Sequence, residues 1–120
     1  MTTNPPQPKR GDIWYVNLDP VVGAEIKKQR PVVVISSDAA GRLPIKLIAP
    51  ITGWANRFMQ SFWLVRIDPN KENGLIKPSA VDTLQLRGID VRRFIRKTGR
   101  VSSSRLDEIA AAIAAVIEYE

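Results

Sequence analysis

The chain contains no cysteine and no histidine. Without cysteine there is no disulfide framework, no thiolate nucleophile and no thiolate metal site. Without histidine the Ser-His and Cys-His triads, imidazole acid–base catalysis and nearly every protein zinc site fall away. Any chemistry must run on carboxylates, arginine, lysine, hydroxyls and backbone amides. Long apolar runs are missing too. The longest, IAAAIAAVI, is about half of the ~20 residues that a membrane-spanning helix needs. The N-terminal MTTNPPQPKRG lacks the apolar core of a signal peptide. Residues 1–8 are therefore expected as a short disordered arm, and the protein as cytoplasmic, with no membrane partner.

What is present fits one domain over residues 9–120 of the 120-residue chain, long enough for a single modest core. The apolar fraction of 44% and charged fraction of 25% are those of an ordinary globule. Charge is unevenly spread within the net +6. Residues 102–120 hold one cation (Arg105) and four anions (Asp107, Glu108, Glu118, Glu120), and the remainder is net +9. A cationic body favours a polyanionic partner such as nucleic acid.

Short strand patterns fill most of the chain. GDIWYVNLD (11–19) alternates and stops at Pro20. PVVGAEIKKQ has no periodicity and reads as a loop, at a length where loops tend to be functional or mobile. RPVVVIS is apolar on both faces and reads as a buried strand. SDAAGR is a connector with about one helical turn. LPIKLIAPIT is a third strand, with Pro44 and Pro50 at positions expected to be edge or bulge. GWANRFMQ is a polar-aromatic loop, SFWLVRID a fourth strand and PNKENG a turn. LIKPSAVDTLQLRGID reads as two extended pieces around Pro78, and RRFIRKTGRV as a half-buried strand. The last segment is a helix, with Ser104 as the expected cap and Asp107 and Glu108 in the first turn. Its apolar stripe is Leu106, Ile109, Ile113 and Val116 or Ile117. Five to seven short strands closed by one helix suggest a small, strongly curved barrel or sandwich.

Several segments then combine into a constellation. RGDIWYVNLDPVVGAEIKKQRPVVVIS, the following IKLIAPITG and the later SAVDTLQLRGID together resemble the MazF/PemK (Kid) family of toxin endoribonucleases. The likeness runs from residue 9 to about residue 118. It implies a mainly β, SH3-like barrel of the CcdB/MazF type with a C-terminal helix. It further implies a homodimer that cleaves single-stranded RNA sequence-specifically, needs no metal or other cofactor, and is held in check by a cognate antitoxin. By the same resemblance the catalytic residues are Arg30 and Thr52, with Glu25 also implicated.

That assignment agrees with the chemistry of the residues. RNA can be cut by its own 2′-hydroxyl if a base takes the proton, a cation stabilises the pentavalent phosphorus and the leaving oxygen is helped. A guanidinium binds two phosphate oxygens and stays charged, so Arg30 suits the second task and is a poor base. Glu25 is then the candidate base, and Thr52 a donor to a non-bridging oxygen. Pro31 holds Arg30 extended. RNA contacts are expected from Lys27, Lys28, Trp54, Asn56, Arg57, Lys77, Asp82, Gln85 and Arg87, with Trp54 as a stacking platform. The inhibitor is expected to be an antitoxin with an acidic, partly disordered tail.

Plainer readings exist for each residue: Arg30 as a solvated strand flank, Glu25 as a surface ion pair, Thr52 as a strand end, Phe58 and Trp63 as core. The cations Arg92, Arg93, Arg96, Lys97 and Arg100 read as the wet face of a strand. One departure from the family pattern is Leu84, where many members carry an aspartate; the nearest acid is Asp82. Two other functions share the fold. A CcdB-type gyrase poison would act through a Trp-Gly-Ile ending, whereas this chain ends VIEYE. A non-catalytic nucleic-acid-binding module would not need Glu25, Arg30 and Thr52 together.

Overall fold

The computed structural model describes residues 6–19, 23–25 and 29–119. Among these, seven strands precede one helix: β1 (Asp12–Asn17), β2 (Gln29–Val34), β3 (Ile45–Gly53), β4 (Leu64–Ile67), β5 (Ser79–Asp82), β6 (Arg87–Asp90), β7 (Phe94–Arg100) and α1 (Ser103–Val116). All pairings are antiparallel, in the order β4-β5-β3-β2-β1-β7, with β6 also on β3. Of the expected N-terminal arm, residues 1–5 lie outside the described residues, and Pro8 is buried.

The run of valines explains the centre of the sheet. Val32, Val33 and Val34 are all fully buried because the two faces carry separate cores. Val33 joins Ile13, Ala49, Ile51, Val81 and the helix residues Leu106 and Ile109 on one face. Val32 and Val34 join Val16, Ile48, Ile89 and Phe94 on the other. β-Branched side chains suit such a doubly covered strand.

Pro50 is not on an edge strand, contrary to its expected place. β3 is central, and its register resolves the conflict: Ile45–Ile48 pair with β6 and Ile51–Gly53 with β5. Pro50 faces Val32 on the β2 side and falls where the other partner changes, a point where a missing amide is tolerated.

The sheet does not close into a full barrel: β4 and β7 are its two ends. A turn covers the gap in place of a strand. The turn between β4 and β5 lies against β7, with the Arg100 N–H donating to the Glu72 carbonyl at 2.8 Å. Contact is so close that a Cβ on Gly99 would strike the Glu72 carbonyl, and one on Gly74, at φ +68°, would strike that of Thr98. Buried Asn73 holds the turn. Its Oδ1 accepts from the backbone N–H groups of Asn70 and Leu75, and its Nδ2 donates to the Asp68 carbonyl.

Two local expectations need correction. Both extended pieces of the 75–90 segment, β5 and β6, follow Pro78, and the 3-10 turn Thr83–Gln85 separates them. The helix cap is Ser102, whose Oγ accepts from the Arg105 N–H at 3.2 Å, and Ser104 lies inside the first turn. An extended residue had to precede the helix, and the chain turns in directly from β7. The apolar stripe runs through Leu106, Ile109 and Ala112 with Ile113 packed beside them as expected, and Ile117 is exposed.

Candidate functional site: a cationic cleft at the end of β2 and β3

β2 and β3 pair through Val32↔Pro50, Val33↔Ala49 and Val34↔Ile48. The same register, carried two residues past the last pair, sets Arg30 across from Thr52. Both line one cleft of about 300 Å³. Its floor is a row across three strands, since Tyr15 pairs with Pro31 of β2 on one side and Arg96 of β7 on the other. The Arg96 guanidinium lies 4.9 Å over the Tyr15 ring. Lys77 completes the rim; a Cβ on Gly53 would come within 3.3 Å of its Nζ.

Three cations (Arg30, Lys77, Arg96) line this cleft and, among the described residues, no carboxylate does. Arg30 is half-buried at the start of β2, and no carboxylate of the described residues forms an ion pair with it. A guanidinium fixed in this way can spend both arms of its fork on a phosphate. Hydroxyls of Tyr15 and Thr52 also line the space, adding neutral donors that suit an oxyanion, whereas those of Ser79 and Thr98 donate to the carbonyls of Lys77 and Ile13.

The cleft does not contain Glu25. That residue is exposed and lines an adjoining cavity of about 220 Å³ with Leu84, Gln85 and Arg87. The two linings adjoin in sequence on β3, where Pro50 belongs to one cavity and Ile51, Thr52 and Gly53 to the other. Arg93 anchors the start of the loop that carries Glu25, donating to the carbonyls of Asn17 and Asp19. Lys27 and Lys28 lie outside the described residues.

Asp82 is a structural clamp. Its Oδ1 accepts from the Leu84 N–H at 3.1 Å and its Oδ2 from Gln85 Nε2 at 2.9 Å, which caps the 3-10 turn and orients Gln85 toward the Glu25 cavity. Leu84 is exposed. Trp54 is half-buried, with other side chains against its ring. Arg66 lies 5.0 Å over its ring and Phe58 meets it edge-on at 5.8 Å. Its indole Nε1 is buried without a partner among the described residues. Asn56 and Arg57 are exposed on the 3-10 turn Asn56–Gln60, with the Arg57 guanidinium 5.0 Å over Phe58. The exposed ring nearby is Phe62, edge-on to Trp63.

Sequence reasoning missed Tyr15 and Arg96. Each reads as one position in an alternating strand; the β1–β2 pairing brings Tyr15 beside Pro31 and the β1–β7 pairing adds Arg96. A second unforeseen group is the buried Asp12 carboxylate. It accepts from the Lys9 N–H and Trp14 Nε1 and faces Lys97 and Arg100 at 3.4 and 3.3 Å. Two cations read as a wet strand face are thus tied to an acid only 2% exposed.

A family model described as PemK-like, MazF-like toxin of type II toxin-antitoxin system matches residues 9–117. The chain is 31% identical over 111 residues to Endoribonuclease MazF9 of Mycobacterium tuberculosis, covering 88% of this chain and 92% of that one. It is 33% identical over 106 residues to Endoribonuclease EndoA of Bacillus subtilis, covering 88% and 90%. Its fold superposes on the crystal structure of MazF from Deinococcus radiodurans with a TM-score of 0.77 at 22% identity, over 92% of this chain and 96% of that one.

Proposed function

The chain belongs to the PemK-like, MazF-like toxin family of type II toxin–antitoxin systems, and on that basis we propose that it is a metal-independent, sequence-specific endoribonuclease acting on single-stranded RNA. The observation that carries the proposal is the cleft in which Arg30 and Thr52 stand together among three cations and no described acid. Both bacterial relatives bear the name endoribonuclease, which supports the nuclease reading.

In this mechanism the scissile phosphate sits between Arg30 and Thr52. The substrate's 2′-oxygen attacks phosphorus and gives its proton to Glu25, across the junction of the two cavities. Arg30 neutralises charge on the non-bridging oxygens, and the Thr52 hydroxyl donates to one of them. The bond from phosphorus to the 5′-oxygen breaks, and that oxygen is protonated as it leaves. The products carry a 2′,3′-cyclic phosphate and a 5′-hydroxyl. Lys77, Gln85 and Arg87 hold neighbouring nucleotides, with Asp82 acting through Gln85. Asn56, Arg57 and the 54–62 aromatics follow the strand on one side, and Lys27 and Lys28 add cationic charge for RNA.

Cleavage of a single-stranded RNA in excess EDTA tests the reading. Cutting should continue, and a 2′-deoxy nucleotide at the scissile position should block it. A 5′-phosphate product, or a requirement for added Mg²⁺, would refute the mechanism. A cognate antitoxin whose acidic, partly disordered tail folds over the cleft is the inhibitor that such a charge distribution invites. Two copies of the chain, joined as a homodimer, would extend the cationic surface.

A further inference from the structure

At the far end of β3 from Thr52, Lys46 presents a different problem. It is only 9% exposed, yet among the described residues it makes no ion pair or side-chain hydrogen bond. Its Nζ is not one of the buried polar atoms left without a partner, so the stem is covered while the ammonium opens to solvent-accessible space. Its side chain lines a cavity of about 250 Å³ together with Lys9 and Arg42. Asp38 is the one acid on the wall, and its Oδ1 is already taken by the Arg10 N–H at 2.9 Å.

The cavity is built by ordered contacts. On one side the segment before β1 is fastened by Lys9 N–H donating to Asp12 Oδ2 and Gly11 N–H donating to the Val34 carbonyl. On the other the Val91 N–H donates to the Pro44 carbonyl at 2.8 Å. Pro8, Leu43, Pro44 and Val91 supply apolar wall. Lys46 and Thr52 are six positions apart on β3, about 20 Å at ~3.3 Å per residue, so this space is separate from the cleavage cleft.

We propose that this cavity is a second anion site, which takes the phosphate group of a small ligand on Lys46, Arg42 and Lys9. Three cations against one engaged carboxylate suit a phosphate dianion better than a neutral or cationic ligand. The volume sits at the small end of ligand pockets and has room for a sugar or single ring beside the phosphate, resting on the proline and leucine wall. An oligonucleotide would not fit. The site stands independently of the nuclease reading, because none of its residues lines the Arg30 cleft.

Calorimetric titration of the full chain with inorganic phosphate and with adenosine monophosphate, at fixed ionic strength against a chloride control, tests the proposal. Both probes should bind the wild type. Lys46→Met and Arg42→Ala should each weaken binding by roughly tenfold or more, while Lys71→Met, which removes an exposed cation elsewhere, should leave it unchanged. Circular dichroism checks the fold of Lys46→Met, and exposed Arg42 gives a second variant that leaves the interior intact. Tighter binding of the monophosphate would assign a phosphate ester, and equal binding free phosphate. Absence of binding by the wild type, unaltered binding in both variants, or an equal loss in Lys71→Met would overturn it.

Discussion

Arg30 is held by two constraints that act on one backbone position. Pro31 keeps it extended, and the register with β3 sets it opposite Thr52. The work proposed for it is on charge in the cleft, and the cores are built without it. Arg30→Ala should therefore lower cleavage by about 100-fold or more with little change in melting temperature. Near wild-type cleavage by the folded variant would remove the central role assigned to it. Glu25→Gln should slow the reaction and flatten the acidic limb of its pH–rate profile; a profile of unchanged shape would move the base elsewhere. Asp12 is the contrasting case. Removing its buried carboxylate strands the Trp14 and Lys9 donors and leaves Lys97 and Arg100 without their acid. Asp12→Ala should cost on the order of 2–3 kcal/mol in denaturant unfolding, with loss of activity following only from loss of fold.

The start of α1 and the turn against β7 carry consequences that no side chain of the cleft would reveal. Ser102→Ala removes the N-cap acceptor and should cost about 1 kcal/mol, whereas Ser104→Ala, inside the first turn, should cost much less. Equal losses in thermal melts would contradict the cap assignment. Gly99→Ala drives a methyl into the Glu72 carbonyl and should destabilise by roughly 1–3 kcal/mol. Because Gly74 of the same turn and Thr98 of β7 also line the cleft, that variant should slow cleavage as well. The Asp90 carboxyl, which caps the turn before β7, is held below the ordinary carboxylate range. The causes are the hydrogen bond from the Arg92 side chain and then that from the Arg92 N–H. A depressed folded-state pKa stabilises above the unfolded value and is lost as pH falls through the folded one. At this exposed position salt should mask most of it.

For the protein as a body, the helix and tail are acidic while the strands carry the surplus of cations, so the sheet offers an anion its main attraction. The sheet's ends at β4 and β7 leave strand edges that a protein must cover or blunt. Light scattering at micromolar concentration should give a mass near twice the 13.4 kDa of one chain, and a clean monomer would sink the proposed dimer. No helix among the described residues is long and apolar enough to cross a membrane.

Hydrophobic patterning was enough to read the strands 11–19, 30–36 and 61–68 and the closing helix, because each buries a face whose period is local. Arg30 and Thr52 were singled out by the resemblance of RPVVVIS and IKLIAPITG to the family's segments; local pattern alone read them as a strand flank and a strand end. Order along the chain favours consecutive strands as neighbours, as in β1–β2, β2–β3 and β4–β5, and does not reveal the remote pairs. The β1–β7 pairing that brings Arg96 to the cleft beside Tyr15 joins residues about 80 positions apart. The tie between Asp12 and Lys97 or Arg100 is equally remote. Ser102 displaced Ser104 as the cap because the exit from β7, and not local propensity, decided where the helix could begin. Glu25 was expected beside Arg30 from the family resemblance and as the candidate base; tertiary packing put its side chain in a second cavity with Gln85 and Arg87. Residue chemistry and period are local properties of a chain, and the sequence alone determined them here. Which charges share a cavity depends on strand neighbours and register, and these exist only once the sheet has formed.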